Sequence, residues 1–178
     1  MRRIMKMGTL ALTLGILVAL PVEAQKQKDL DRVQEAIDTM TAKDPGMAQW
    51  FSDAYAYAVF PNVGKGGIGI GGAHGNGIVY RSGAPVGKSE LKHVTIGLQL
   101  GGQKFIEVIF FKDQTAYDDF TRENFEFGAQ ASAVAFSHSA SADLAYNGGV
   151  AIVTMAEGGL MYEATVGGQK FEYEAYQK

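Results

Sequence analysis

Phe60-Pro61-Asn62-Val63-Gly64-Lys65-Gly66-Gly67-Ile68-Gly69-Ile70-Gly71-Gly72-Ala73-His74-Gly75-Asn76-Gly77-Ile78-Val79-Tyr80 is the stretch on which the fold of this chain turns. Ten of the 23 glycines fall between Gly64 and Gly87. They are interleaved with Ile68, Ile70, Ile78 and Val79 rather than with serine or proline. A flexible linker does not carry β-branched residues at two-residue spacing. Glycine in this setting lets backbones approach closely or turn sharply inside a sheet. Two strands are expected here, Gly66 to Gly72 and Gly77 to Tyr80, joined through Ala73-His74-Gly75-Asn76.

On the N-terminal side, Tyr55 to Phe60 alternates as a strand that Pro61 is expected to stop. Before it, Met47, Trp50, Phe51, Ala54 and Tyr55 fall on one helical face. A short helix from about Pro45 to Ala54 is expected, with Asp44 as its cap. Trp50, Phe51, Tyr55 and Tyr57 at such spacing read as core rather than as a ligand cluster. Gln25 to Met40 is charged but carries Leu30, Val33, Ile37 and Met40 at helical spacing, so it reads as an amphipathic helix.

Further upstream, Arg2, Arg3 and Lys6 precede an apolar run from Leu10 to Leu20, and Val22-Glu23-Ala24 supplies small residues for cleavage. That pattern reads as a secretory signal peptide over residues 1–24, leaving one domain over 25–178. The expected location is periplasmic or secreted. Cleavage removes Arg2, Arg3, Lys6 and Glu23, so the 16 basic and 19 acidic residues become 13 and 18, a net charge of −5. A mildly acidic exported chain is not a nucleic-acid binder by composition, and any anionic partner needs a local basic patch. With no cysteine, the chain has neither disulfides nor a thiolate metal site.

On the C-terminal side, Arg81 to Lys88 has loop chemistry. His93 to Leu100 alternates, Gly101-Gly102 follows, and Phe105 to Phe111 is almost continuously apolar. This reads as a hairpin whose second strand is buried on both faces. Lys112 to Arg122 is the one later helix, capped by Asp113 with Ala116, Tyr117 and Phe120 inward. Strands are expected at Ala129–Phe136, Gly149–Met155, Leu160–Val166 and Phe171–Tyr176. The architecture is therefore α+β: a mainly antiparallel curved sheet or partly closed barrel, with N-terminal helices and one mid-chain helix.

The sequence offers no enzyme signature. Gly67-Ile68-Gly69-Ile70-Gly71-Gly72 satisfies G-x-G-x-x-G as a string, but a strand follows instead of the helix that holds a pyrophosphate. No cofactor is expected. His74, His93 and His138 lack a ligand spacing. Ser132, Ser137, Ser139 and Ser141 sit in no nucleophile elbow. Asp113, Asp118, Asp119, Glu123 and Glu126 read as a solvated helix face.

Ala54-Tyr55-Ala56-Tyr57-Ala58-Val59-Phe60-Pro61, the glycine block, Gly97-Leu98-Gln99-Leu100-Gly101-Gly102-Gln103, Phe127-Gly128-Ala129-Gln130-Ala131-Ser132 and Gly159-Leu160-Met161-Tyr162-Glu163-Ala164-Thr165-Val166-Gly167 occur in one order. That ordered set resembles the SYLF domain family, also called the Ysc84 actin-binding family, with Gln130 where the family usually has an acid. The resemblance implies binding of phosphoinositides and other anionic lipids, or of actin, in eukaryotic members, and export with lipid binding in bacterial ones. For this chain it implies a non-enzymatic module contacting an anionic phospholipid membrane peripherally. The contact is expected through the Gln25–Met40 helix, with Lys26, Lys28 and Arg32, and through Lys43 and Lys65. The alternative is an envelope structural domain that binds a protein partner through a sheet edge or the 128–142 surface.

Overall fold

The computed structural model describes residues 16–97, 103–128, 131–157 and 166–177. Helix α1 (Ile16–Lys43) contains the expected amphipathic segment and runs unbroken from upstream of it. Its solvent face is knitted by i,i+4 bonds: Gln25 to Asp29 at 2.8 Å, Gln27 to Asp31 at 2.7 Å and Gln34 to Asp38 at 2.9 Å. Its inner stripe buries Val33, Ala36 and Met40, with Leu30 and Ile37 packed beside them. Pro45 cannot continue the helix, and α2 (Met47–Asp53) starts after Gly46.

Asp44 does not cap α2 as the sequence led us to expect; Gly46 is the N-cap. The buried Asp44 carboxylate instead accepts from the Ser141 N–H at 2.7 Å, the Ser141 hydroxyl at 2.9 Å and the Gly46 N–H at 3.0 Å. It thereby ties the α1–α2 corner to α4 (Ala140–Asp143). Burial raises its pKa, but the hydrogen bonds from Ser141 and Gly46 outweigh that effect and hold it below the ordinary 3.8. Its contribution to stability is present above that value and is lost as pH falls through the lower folded one. Asp44→Ala is expected to cost about 2–3 kcal/mol, because it orphans buried donors as well as deleting bonds. Urea denaturation at neutral pH measures this; a loss near zero would mean that the Asp44–Ser141 contact contributes little.

The sheet has the order β4-β7-β2-β1-β3-β6-β5, built from β1 (Ala56–Arg81), β2 (Ala84–Gly97), β3 (Gln103–Phe111), β4 (Phe125–Glu126), β5 (Val134–Ala135), β6 (Val150–Ala156) and β7 (Lys170–Ala175). All pairings are antiparallel except β5 with β6. β1 doubles back on itself inside the glycine block. Its first half pairs with β3 and its second with β2. The two halves face each other: the Tyr57 and Tyr80 rings stack at 5.1 Å, Phe60 lies against Gly77, and Val63 against Gly75. Among the described residues, eight strand segments thus make a curled half-barrel.

Several local expectations change accordingly. Pro61 does not stop the strand; it falls where the β1–β3 register shifts between Phe60 and Val63, a place that does not need its N–H. Ala73 to Asn76 is strand paired with β2, not a connection. The loop expected over Arg81 to Lys88 shrinks to a turn at Ser82-Gly83, both with positive φ. Of the strand expected at Ala129–Phe136, only β5 forms, while Ala129 and Gln130 lie outside the described residues. The Gly101-Gly102 turn and Leu160–Thr165 are also outside them. The short β4, which pairs with β7, carries no readable signal at two residues.

Alternation along the strands splits the core in two. Phe60, Ile109, Phe111, Ile152 and Phe171 face the concave side, which α3 (Gln114–Phe120) covers with Ala116, Tyr117 and Phe120. Asp113 caps α3 as expected, accepting from the Ala116 N–H at 3.0 Å. Val59, Val108, Phe110 and Val153 face the convex side, under α1, α2 and α4. β3 is thus buried on both faces.

Candidate functional site

The five expected basic residues do not form one patch. Lys26, Lys28 and Arg32 share the N-terminal part of the exposed segment of α1. The Lys26 ammonium sits 4.3 Å above the Tyr176 ring, and Arg32 pairs with Asp29 at 3.5 Å. Lys28 is free to face solvent, and Lys43 stands exposed in the last turn, where the helix dipole favours a cation. Lys65 is on β1, opposite Gln103 of β3. It lies eight residues along the strand from Tyr57, whose neighbourhood α1 covers, so about 26 Å separate them at roughly 3.3 Å per residue. The solvent face of α1 is mixed: a shallow depression on it is lined by Asp31, Gln34, Glu35, Asp38, Thr39 and Ala42.

The aromatic residues beneath the helices are core, as their spacing implied. Trp50 meets Phe110 at 5.5 Å and Tyr146 at 5.1 Å, and its indole N–H donates to the Ser141 carbonyl at 3.0 Å. Phe51 packs edge-on to Tyr57 at 5.2 Å. Burial, with Tyr57 and Tyr176 alongside, pushes the Tyr80 hydroxyl up to about 12.

The other residues weighed in the sequence have structural surroundings. His74 is on an exposed strand position 3.4 Å from Glu90, in a ladder where Lys92 bridges Glu90 at 3.2 Å and Glu172 at 2.9 Å. His93 packs against the Gly167-Gly168 turn; burial and the nearby Lys65 lower its pKa. His138 is exposed. Among the described residues no group of three or more His, Asp or Glu could hold a metal. Asp119 pairs with Arg122 and Glu126 with Lys170 in exposed ion pairs worth little each.

What the sequence reading missed is Glu107. It sits in the apolar run Phe105–Phe111 and is fully buried on the concave face. Its strand neighbours are Phe60 of β1 and Thr154 of β6. The Gln169 side-chain amide donates to its Oε2 at 2.9 Å. Burial drives its pKa up to about 7, against the lowering effect of that hydrogen bond. A lone acid inside seven strand residues that are otherwise all apolar was the available signal.

Residues 92–175 match a family model described as Ysc84, Las17-binding protein actin regulator. Over residues 92–175 this chain is similar to the Ysc84 (SYLF) family. Beta cell expansion factor A of Aeromonas veronii is similar to it, 31% identical over 132 residues, which covers 72% of this chain and 49% of the relative. The chain therefore spans about half the length of that curated relative. The matched stretch runs from the charged ladder of β2 to the last residue of β7. It contains Glu107, Thr154 and Gln169, whereas α1 and β1 precede it.

Proposed function

We propose that this chain is an exported, non-enzymatic module that binds anionic phospholipid at the cell envelope through the N-terminal part of α1. The observation that carries this reading is the match of residues 92–175 to the Ysc84 family, a lipid- or actin-binding type. Arg2, Arg3 and Lys6 ahead of the Leu10–Leu20 run support export. Lys26, Lys28 and Arg32 on one helix segment supply the cations, with Lys43 and Lys65 as outlying contributors. Lys26, held over Tyr176, is already oriented, so it loses less freedom on meeting a headgroup than a free lysine does.

Flotation with neutral and anionic vesicles at low and moderate salt tests the reading. Binding should require anionic lipid and weaken with salt. Each basic residue at an anionic surface contributes about 1 kcal/mol, so the triple change Lys26→Ala, Lys28→Ala, Arg32→Ala should cut partitioning roughly 100-fold. Unchanged binding of the triple variant would move the site elsewhere on the fold. No flotation of the parent chain, together with lipid-independent capture of an envelope protein, would favour the protein-interaction alternative.

A further inference from the structure

Glu107 occupies a position where its ionised form leaves the surrounding hydrogen bonds unsatisfiable. Among the described residues, the buried oxygens without a partner include Glu107 Oε1, Gln169 Oε1 and Thr154 Oγ1. All three residues are buried, at 0%, 2% and 1% exposure for Glu107, Gln169 and Thr154. A carboxylate oxygen and an amide oxygen only accept, while the threonine hydroxyl donates once. With Glu107 ionised, two acceptors compete for one hydrogen. A single added proton removes that deficit, because the carboxyl hydroxyl then donates to one neighbouring oxygen and Thr154 serves the other.

The position of Gln169 gives this proton a mechanical consequence. In the sheet order, β7 is separated from β3 by β2 and β1. Yet Gln169, the residue just before β7, reaches Glu107 in the middle of β3. Such a contact requires the sheet to curl, so the side chains close the half-barrel across its concave face. The same turn is anchored to the segment after β4: Gly168 N–H donates to Phe127 O, and Phe127 N–H to Gln169 O, both at 2.9–3.0 Å. Behind it lie Phe60, Phe111, Phe120 and Phe171.

The geometry points to a proton-operated latch: while Glu107 is neutral it stays buried beneath Gln169 across the concave face, and the charge left by loss of the proton draws water to that site, opening the 166–169 turn and uncovering the phenylalanines. The raised pKa of Glu107, about 7, places the transition near neutrality. The stability contribution is complete below the ordinary carboxylate range and is lost as pH rises through the folded value.

Other charged groups near the latch are distinguishable among the described residues. β1 and β6 present Phe60 and Thr154 to Glu107, neither titratable. From α3, the Tyr117 hydroxyl is engaged with the Tyr173 hydroxyl at 3.4 Å. From β2, His93 touches the turn at Gly168, with Lys65 near it. Burial disfavours its charged form, so His93 opposes closure on acidification, the opposite sign to Glu107. The Lys170–Glu126 pair flanks the turn on its exposed side.

Amide hydrogen exchange on the full chain between about pH 5 and pH 9 tests this, read at Phe127 and Gly168 relative to mid-β3 amides. After correction for intrinsic exchange, opening at these two amides should increase by up to about tenfold per pH unit between the ordinary carboxylate range and the Glu107 transition, and level off above it. Glu107→Gln, a permanent neutral donor, should abolish that dependence. Equal pH dependence in the variant, or none in the parent, overturns the latch. Should Glu107→Gln not fold, the Glu107 carboxyl carbon shift in the parent decides: titration near neutrality supports the latch, and an ordinary carboxylate titration overturns it. Restoration of protection at high pH by excess calcium would assign the cluster to a cation instead and also overturn it.

Discussion

Gly77→Val should yield no stably folded protein, and Gly77→Ala should already cost about 3 kcal/mol or more, at or above the usual range for overpacking. A Cβ on Gly77 would stand 2.6 Å from the Phe60 ring and 2.7 Å from the Val59 carbonyl oxygen. The ring could rotate only into a packed core, and the carbonyl is backbone. Neither strand segment can give way. Val59 is held on its far side by pairing with Val108, and Gly77 on its far side by pairing with Ser89. The clash is therefore trapped between two paired segments at the centre of the sheet. Valine adds two methyls to it, against a total stability of roughly 5–15 kcal/mol for a domain. Gly64→Ala is the control, because its Cβ would meet nothing closer than the His74 carbonyl at 4.0 Å. Urea denaturation of the two alanine variants decides the matter. Equal midpoints for Gly77→Ala and Gly64→Ala would mean that the two halves of β1 are not packed as described.

That same hairpin marks the boundary of what could be read from the chain. Elements specified locally were legible: Asp113 followed by Ala116, Tyr117 and Phe120 gave α3 with its cap, and the unbroken apolar run gave a doubly buried β3. The period of Leu30, Val33, Ile37 and Met40 gave the packed face of α1. Glycine, proline and asparagine, in contrast, misled as breakers. In β1 they serve close approach and a register shift, which depend on the segment lying opposite rather than on neighbours in sequence. Asp44 failed for a related reason: the local rule offers a helix cap, while its actual partner, Ser141, lies 97 residues away.

The candidate site divides in the same way. Charge on Lys26, Lys28 and Arg32 was visible, but the seat of Lys26 over Tyr176 depends on where β7 ends beneath α1. Glu107 was passed over because an apolar run tolerates one polar letter without changing its reading. Only the curl, which brings Gln169 onto it, turns that letter into a feature.

Phe171→Ala is expected to remove about 3–5 kcal/mol, the range for deleting a buried aromatic and leaving its cavity. Phe171 is 1% exposed and is ringed by Phe60 at 5.6 Å, Phe120 at 5.2 Å, Phe125 at 6.1 Å and Phe127 at 5.2 Å. These partners come from β1, α3, β4 and the segment after it, so no single element can shift to fill the void. In a chain of this size the loss corresponds to a fall in Tm on the order of 10 °C. Val94→Ala, at a side chain 76% exposed, should by contrast stay within about 0.5 kcal/mol of the parent. Because Phe171 follows Gln169 by two residues, its loss should also raise exchange at Phe127 and Gly168, and should do so at every pH. Destabilisation from a core void carries no proton, whereas opening of the Glu107 latch does. A Phe171→Ala variant as stable as Val94→Ala would show that the concave face is not the closed core described above.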